Sequence, residues 1–218
     1  MFKNKILYIF IFSLLGIYSY KYFIFNNYIV QEIIIENQSK RSDMRKIKNE
    51  LSHAFEKPLN NLNLRNIKER IESIEWIKRA QVNFDRPNIL KIKFHEYNPI
   101  YIYNQKYYID EDKSIFELSG KPLDILKLSS NTYSHNSMYE LYKNIKLILD
   151  NTNQNITAIS KKNDMLSINL DNMIINVRYS NYEKKLQEFI SVYPELIEIY
   201  NKKYIKIDMR YPTGFAVE

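Results

Sequence analysis

Residues 75–96 read EWIKRAQVNFDRPNILKIKFHE, and this stretch decides the first half of the fold. Apolar residues alternate with polar ones on both sides of Pro87, at Ala80, Val82 and Phe84 and again at Leu90, Ile92 and Phe94. A period of two predicts strands that bury one face each. Arg86-Pro87-Asn88 is typical of a hairpin loop between them. We therefore predict a β-hairpin as the centre of the first domain.

The residues before this hairpin predict one strand and two helices. The β-branched run Val30–Glu36 predicts the strand. Ser42 and Asn63 are the predicted N-caps, because each precedes apolar residues at helical spacing. The two apolar stripes are Met44, Ile47, Leu51 and Phe55, and then Leu64, Ile67, Ile71 and Ile74. Residues 28–98 are thus a predicted β-α-α-β-β domain.

Residues 99–218 predict a second, β-rich domain, so that the fold class is α+β. Its predicted strands are Tyr101–Tyr103, Tyr107–Asp110, Ser114–Glu117, Ile156–Ser160, Leu166–Leu170 and Met173–Tyr179. Asn136 and Asn181 are the predicted caps of two helices. The inward stripes of these helices are Met138, Leu141, Ile145 and Ile148, and Leu186, Phe189, Ile190, Tyr193 and Ile197. Residues 118–135 predict a loop, and Pro194 predicts a kink or a division of the last helix.

Residues 6–26 predict a transmembrane helix that follows a cytoplasmic tail of residues 1–5. The run Ile6–Phe25 has a single charge at Lys21, and as a helix it would extend about 30 Å, the thickness of a hydrocarbon core. Few small residues follow this run, which disfavours the alternative of a cleaved signal peptide. Lys3 and Lys5 precede it and favour a cytoplasmic N-terminus. We therefore expect the two domains to lie outside the cytoplasm.

The closing segment YIKIDMRYPTGFAV, residues 204–217, predicts a strand, a turn and a second short strand. The alternation places Tyr204, Lys206, Asp208 and Arg210 on one face and Ile205, Ile207 and Met209 on the other. Pro212-Thr213-Gly214 is the predicted turn, and Gly214 permits a positive φ there. We expect the apolar face to pack on the last helix while the polar face and Tyr211 remain available to a partner. The alternative is that Tyr211 and Phe215 close the core.

Composition and motifs argue against an enzyme. The chain has no Cys and three widely spaced His residues, and it carries none of the common nucleophile, zinc or phosphate-binding motifs. Asp110-Glu111-Asp112 lacks the ligand spacing of a calcium loop and predicts a solvated turn. The net charge of +7 is compatible with anionic lipid, but no basic patch indicates nucleic acid. We expect no catalysis, cofactor, metal site, nucleic acid or small-molecule substrate.

Four motifs give the chain a resemblance to the FtsQ/DivIB family of bacterial cell-division proteins, which carry a polypeptide-transport-associated (POTRA) domain. These motifs are Glu75-Trp76-Ile77, Phe84-x-x-Pro87-x-x-Leu90-x-Ile92, Glu96-x-x-Pro99, and the ending Ile207-Asp-Met-Arg-Tyr-x-x-Gly-x-Ala-Val217. Trp76, Pro87, Glu96 and Pro99 are interpreted as structural residues, with Trp76 buried between helix and sheet. Family members often have Leu-Gly-Arg before the last long helix, whereas this chain has Asn176-Val177-Arg178-Tyr179. Whether Arg178 takes the role of the family arginine stays open.

The resemblance implies a single-pass protein of the inner membrane that links components of the division machinery at the septum and helps to control septal peptidoglycan synthesis. It also implies binding to the membrane proteins FtsB and FtsL through the second domain. The residues that we assign to partner binding are Arg178, Lys206, Asp208, Arg210, Tyr211, Gly214 and Phe215. The expected route is addition of a partner strand to a terminal sheet edge. The alternative is a membrane-anchored POTRA module that binds polypeptides for transport or as a chaperone.

Overall fold

The computed structural model describes residues 2–86, 88–200 and 204–218. The chain divides into two compact units, residues 1–97 and 98–218. Pro87, one of the predicted structural residues, lies outside the described residues.

The chain begins with a long helix, α1 (Phe2–Asn27). Every side chain described in this helix, over residues 8–23, is exposed, and most of these side chains are large and apolar. Within the described part of the chain, no helix meets the length and apolarity required of a membrane span.

The rest of the first unit is a three-stranded sheet covered by two helices. Its elements are β1 (Glu32–Ile35), α2 (Met44–Ser52), α3 (Leu64–Glu72), β2 (Ile77–Arg86) and β3 (Ile89–Glu96). Strand β3 lies between the other two, antiparallel to β2 and parallel to β1. The predicted hairpin faces are confirmed, because five of the six predicted residues are buried and Phe84 is half-buried against the same core; the buried ones are Ala80, Val82, Leu90, Ile92 and Phe94. The β-α-α-β-β order is therefore correct.

Two details of the helices differ from the sequence prediction. The N-cap of α2 is Asp43 rather than Ser42, because the Asp43 carboxylate accepts a hydrogen bond from the backbone N–H of Arg45. Helix α2 ends at Ser52, so that Phe55 is exposed and Ala54 enters the core instead. The predicted cap at Asn63 is confirmed, because its side chain accepts from the N–H of Asn66 at 3.0 Å.

The second unit is a nine-stranded sheet with two long helices. Its strands are β4 (Pro99–Tyr103), β5 (Tyr107–Asp110), β6 (Ile115–Glu117), β7 (Leu126–Ser130), β8 (Ile156–Lys162), β9 (Met165–Leu170), β10 (Met173–Arg178), β11 (Ile205–Asp208) and β12 (Ala216–Val217). The helices are α4 (His135–Leu149) and α5 (Tyr182–Tyr200). The spatial order is β12-β11-β10-β9-β8-β7-β4-β5-β6. The two short final strands therefore form one end of the sheet.

Two parallel crossovers place both helices on one face of this sheet. Helix α4 connects β7 to β8, and α5 connects β10 to β11, each pair being parallel neighbours. The shared core includes Leu141 and Ile145 of α4, Leu186 and Phe189 of α5, and Ile175 of β10. Alternate residues of the strands point to the opposite, open face of the sheet.

The second unit corrects three expectations. Residues 118–135 are not a continuous loop, because β7 lies within them and pairs in parallel with both β4 and β8. The N-cap of α4 is Ser134 rather than Asn136, with the Ser134 hydroxyl accepting from the N–H of Ser137. Helix α5 begins directly after Asn181 and continues through Pro194, so that the proline does not divide it; the alternative, a kink at Pro194, stays a prediction.

Candidate protein-docking edge

Strand β11 has the two faces that its alternation predicts. Ile205, Ile207 and Met209 are buried in the core beneath the helices, whereas Lys206 and Arg210 are exposed. Asp208 departs from this pattern, since only 8 % of its surface is exposed although it lies on the polar face. The apolar face thus fixes the strand, and the polar face carries its charges on the open side of the sheet.

An ion pair explains the burial of Asp208. Nε of Arg210 donates to both carboxylate oxygens of Asp208, at 2.8 and 2.9 Å, and the Arg210 backbone N–H donates at 3.1 Å. The side-chain hydrogen bond from Arg210 lowers the pKa of Asp208, and this effect outweighs the opposing effect of burial. The pair folds the guanidinium back onto its own strand, so that Arg210 is largely neutralised within the chain.

Strand β12 pairs with β11 in a register that leaves its outer edge free. Lys206 and Glu218 exchange both backbone hydrogen bonds at 2.9 Å, and their side chains form an ion pair at 2.9 Å. Ile207 then lies opposite Val217, and Asp208 lies opposite Ala216. Because the backbone groups of an antiparallel strand alternate in direction, those of Ala216 and Glu218 point to β11 and those of Val217 point away. The edge therefore presents an N–H and a C=O at Val217 that pair with no backbone group of the residues described.

The loop that connects the two strands is exposed. Residues 211–214 are all exposed, and 54 % of the surface of Tyr211 is accessible. Gly214 has φ +70°, the positive value predicted for the turn. Phe215 is half-buried and packs against the core. Phe215 therefore packs against the core, as the alternative predicted, whereas Tyr211 does not.

Two cations from neighbouring elements donate to the backbone around this loop. Arg178, at the end of β10, donates from Nε to the carbonyl of Arg210 at 3.3 Å. Lys185, in α5, donates from Nζ to the carbonyl of Pro212 at 3.2 Å. The guanidinium of Arg178 is exposed and has no carboxylate partner within the described ranges. The seven predicted partner-binding residues thus lie together around β11, β12 and the end of β10.

A second ionic centre fixes a loop in the first unit. The Glu96 carboxylate, at the end of β3, accepts from the Ser39 hydroxyl at 2.6 Å and from the backbone N–H groups of Lys40 and Ser42 at 3.0 and 2.8 Å. The N–H of Arg41 also lies within 3.3 Å of both oxygens. Partial burial acts to raise the pKa of Glu96, but these hydrogen bonds prevail and lower it to about 2. Glu96 therefore holds the loop that precedes α2.

The two parts of the chain match two adjacent family profiles. The profile described as POTRA domain, FtsQ-type matches residues 29–97. The profile described as cell division protein FtsQ/DivIB, C-terminal matches residues 100–210, slightly more than half of the chain. The chain belongs to the FtsQ/DivIB family.

The chain is also similar in sequence to curated members of the FtsQ/DivIB family. The chain is 30 % identical to the cell division protein FtsQ of Haemophilus influenzae over 156 residues, which cover 69 % of this chain and 61 % of that protein. It is 23 % identical to FtsQ of Coxiella burnetii over 192 residues, covering 86 % of this chain and 79 % of the relative. It is 26 % identical to FtsQ of Rickettsia prowazekii over 197 residues, which cover 87 % of this chain and 72 % of that protein. The chain thus spans less than two thirds of the Haemophilus relative.

The FtsQ/DivIB motif around Trp76 has a different structural basis from the one expected. The Trp76 ring is half-buried rather than part of the core, and the Arg41 guanidinium lies 5.1 Å from its centroid. Trp76 has φ +79°, and its carbonyl accepts from the N–H of Tyr97 at 2.9 Å. Pro99 is buried as the first residue of β4, where a missing N–H is tolerated. Trp76 therefore marks a backbone turn into β2 as well as a packing position.

The acidic run Asp110-Glu111-Asp112 begins at the last residue of β5 and continues into the turn that follows it. Asp110 is buried and accepts from the Asn98 backbone N–H, whereas Asp112 accepts from the N–H of Ser114 at 3.1 Å. No group of three metal-ligating side chains occurs among the residues described. The Asp112 contact fits the predicted turn, but Asp110 is buried rather than solvated.

A cleft of about 410 Å³ lies on the open face of the large sheet, away from the docking edge. It is lined by residues of β4, β7, β8 and β9 and by two loop residues, Gln105 and Pro122. None of the predicted partner-binding residues lines it.

The site residue that the sequence prediction missed is Lys185. Its side chain is only 4 % exposed, although lysine is seldom buried. The sequence does indicate this burial. Lys185 follows Tyr182 by three residues and precedes Phe189 by four, which places it on the inward stripe of α5. A lysine at an apolar position of a helix was therefore the available indication.

Proposed function

We propose that this member of the FtsQ/DivIB family is a membrane-anchored scaffold of the division machinery that docks partner proteins at β12. FtsB and FtsL are the proposed partners, and through them the protein would link division components at the septum and influence septal peptidoglycan synthesis. The observation that carries the proposal is the outer edge of β12, which pairs with no other strand among the described residues, with the exposed Arg178 two strands away at the end of β10. No catalytic step is required for this function.

Strand addition is the physical route that the edge supports. A partner segment in extended conformation would pair with the outward N–H and C=O of Val217 and extend the sheet by one strand. Tyr211 lies in the loop that leads to this strand, where a large exposed ring with a hydroxyl group is suited to an interface contact. The partner would therefore gain both backbone pairing and a side-chain contact.

The charges at the edge favour a partner segment with acidic residues. Asp208 neutralises Arg210 and Glu218 neutralises Lys206, whereas Arg178 has no carboxylate partner in the described chain. A carboxylate from the partner could accept a bidentate hydrogen bond from this guanidinium. Such a contact would add orientation as well as attraction, because the guanidinium fork is planar.

Helix α1 is the proposed anchor in the inner membrane. Its exposed side chains include Ile9, Phe10, Phe12, Leu14, Leu15 and Ile17. Exposed apolar residues over several helical turns are unfavourable in water and favourable in lipid. We propose a cytoplasmic N-terminus and an extracytoplasmic position for both units. A C-terminal alkaline phosphatase fusion should be active, and an inactive phosphatase with an active cytoplasmic reporter would overturn this topology.

A proline substitution at the free edge tests the docking proposal. Val217→Pro removes the outward N–H, and proline is tolerated on an edge strand where the N–H faces solvent. We expect the full-length chain in detergent to keep its melting temperature but to bind the extracytoplasmic segments of FtsB and FtsL at least about tenfold more weakly.

The matched control is Val217→Ala, which shortens the side chain and retains the N–H. It should bind the two partner segments with nearly the affinity of the original chain. If Val217→Pro binds as well as Val217→Ala, docking by strand addition at β12 is wrong. Equal losses in both variants would show that the side chain, not the backbone edge, makes the contact.

A further inference from the structure

Lys185 is a buried cation in the second unit with two hydrogen-bond acceptors. Its ammonium lies 3.0 Å from Oε2 of Glu188 and 3.2 Å from the carbonyl oxygen of Pro212. Burying a charged group is unfavourable unless it is paired and hydrogen-bonded, so that these contacts compensate for its desolvation. The Glu188 contact stays within one helix, because the two residues are three positions apart. The Pro212 contact instead joins α5 to the loop before β12.

The side chains of this loop do not pack into the core. The side chains of residues 211–214 are exposed, and β12 has only two residues. The Arg178 contact reaches the carbonyl of Arg210, which precedes the loop, whereas the Lys185 contact reaches Pro212 inside it. Within the described residues, Lys185 is thus the side chain that ties the middle of this loop to the helical layer. A change in the position of Pro212 would be transmitted through Gly214 to the short strand that follows.

We propose that Lys185 is the positioning residue of the docking edge. By holding the Pro212 carbonyl, its ammonium sets where the chain enters β12 and thereby which backbone groups the edge presents. The effect of Lys185 on partner affinity rests on the function proposed above, whereas its effect on the loop does not. Glu188 serves to neutralise the ammonium, so that Lys185 carries one contact for charge balance and one for loop position.

Three variants of the full-length chain separate these roles. Lys185→Met keeps an unbranched apolar side chain in the buried space and removes the ammonium. Glu188→Gln removes the neutralising carboxylate but leaves the donor to Pro212. Lys184→Met is the matched control, because Lys184 is the adjacent residue, is 82 % exposed and lies 4.0 Å from the same Glu188. All three are compared by amide hydrogen exchange and by affinity for the FtsB and FtsL segments.

We expect Lys185→Met to increase the exchange rates of the amides of Ala216 and Glu218, which face β11, about tenfold, as for the loss of one charge-assisted hydrogen bond. Affinity for the partner segments should fall by a similar factor, while exchange within β8 and β9 stays unchanged. Lys184→Met removes only an exposed charge and should leave exchange at Ala216 and Glu218 within about twofold of the original chain. Glu188→Gln leaves the Pro212 contact in place and should change exchange at these two amides less than Lys185→Met does.

Two results would overturn the positioning role. The first is unchanged exchange at Ala216 and Glu218 in Lys185→Met. The second is an equal increase in Glu188→Gln, which would show that the helix ion pair rather than the Pro212 contact is responsible. Faster exchange without loss of partner affinity would overturn the link to docking. If Val217→Pro then also binds normally, the docking proposal itself fails while the hold of Lys185 on the loop stands.

Discussion

Two loops of the molecule are held by ionic side chains, and they are held in opposite ways. Residues 39–42 gather around one carboxylate, Glu96, which accepts several hydrogen bonds from the loop. Residues 211–214 are reached by one cation, Lys185, which donates a single hydrogen bond to a loop carbonyl. Successive N–H groups can converge on one anion, whereas carbonyl groups of an extended loop point in different directions.

This difference separates a loop that is built into the fold from one that can adjust. Removing Glu96 would leave several donors without an acceptor at once, so that any other position of the first loop has a higher free energy. The side chains of the second loop are exposed, so that a bound partner can shift this loop at a smaller cost in free energy. We therefore expect substitutions at the first loop to affect stability and substitutions at the second to affect binding.

The largest expected effect is on the stability of the first unit. In Glu96→Gln an amide N–H₂ replaces one acceptor and faces backbone donors of residues 40–42, which should destabilise this unit by about 3 kcal/mol. Urea unfolding of the full-length chain in detergent can be followed by fluorescence, because the single tryptophan, Trp76, lies in this unit. Glu32→Gln is the control, since Glu32 is exposed on β1.

Acid provides an independent check of the same contact. The pKa of Glu96 is about 2 in the folded chain against an ordinary value of 4.5. Because the folded pKa is the lower one, the stabilisation is fully present above about pH 5 and is lost as the pH falls toward 2. The Gln variant should lose this part of the acid dependence. An unchanged acid dependence in Glu96→Gln would show that other carboxylates determine it.

The next largest effect should appear in partner affinity. Tyr211→Ala removes an exposed ring from the second loop, so that the melting temperature should stay nearly constant. Affinity for the FtsB and FtsL segments should fall by about 2 kcal/mol, roughly 30-fold, if the ring is an interface contact. Tyr204→Ala is the matched control, because Tyr204 is 62 % exposed at the other end of β11. A lower melting temperature with normal binding of the folded fraction would assign Tyr211 to the core.

The smallest expected effect concerns backbone strain beside the first loop. Trp76 has φ +79°, a conformation that glycine adopts without the steric cost of other residues. Trp76→Gly should therefore be more stable than Trp76→Ala by about 1 kcal/mol, although glycine is usually the less stable of the two. Circular dichroism in urea measures the difference. If the alanine variant is the more stable, the positive φ is not retained in solution.

Local patterns predicted the elements of the fold well. The period of two at Leu90, Ile92 and Phe94 gave the buried face of β3, and the side chain of Asn63 capped α3 as expected. The cap of α2 was misplaced by one residue because Ser42 and Asp43 are adjacent and both suit that position. In these cases the deciding interactions lie within a few residues of one another.

Contacts between distant residues were not available from these patterns. Strand β7 was missed because its parallel pairing with β4 and β8 is decided by residues far along the chain. The role of Glu96 depends on a loop more than fifty positions earlier. At the docking edge, alternation predicted the faces of β11, but it could not predict that Arg210 would neutralise Asp208.

The backbone groups of β12 alternate in direction, so that the register of β12 against β11 decides which of them the docking edge presents. Ala216 pairs inward and Val217 faces outward because the loop after Arg210 has its present length. Inserting or deleting one residue in that loop would exchange the two sets of groups, even with every side chain of the ending preserved. An insertion of two residues would restore the original direction of each backbone group. The length of this loop, as well as its composition, therefore encodes what the edge offers to a partner.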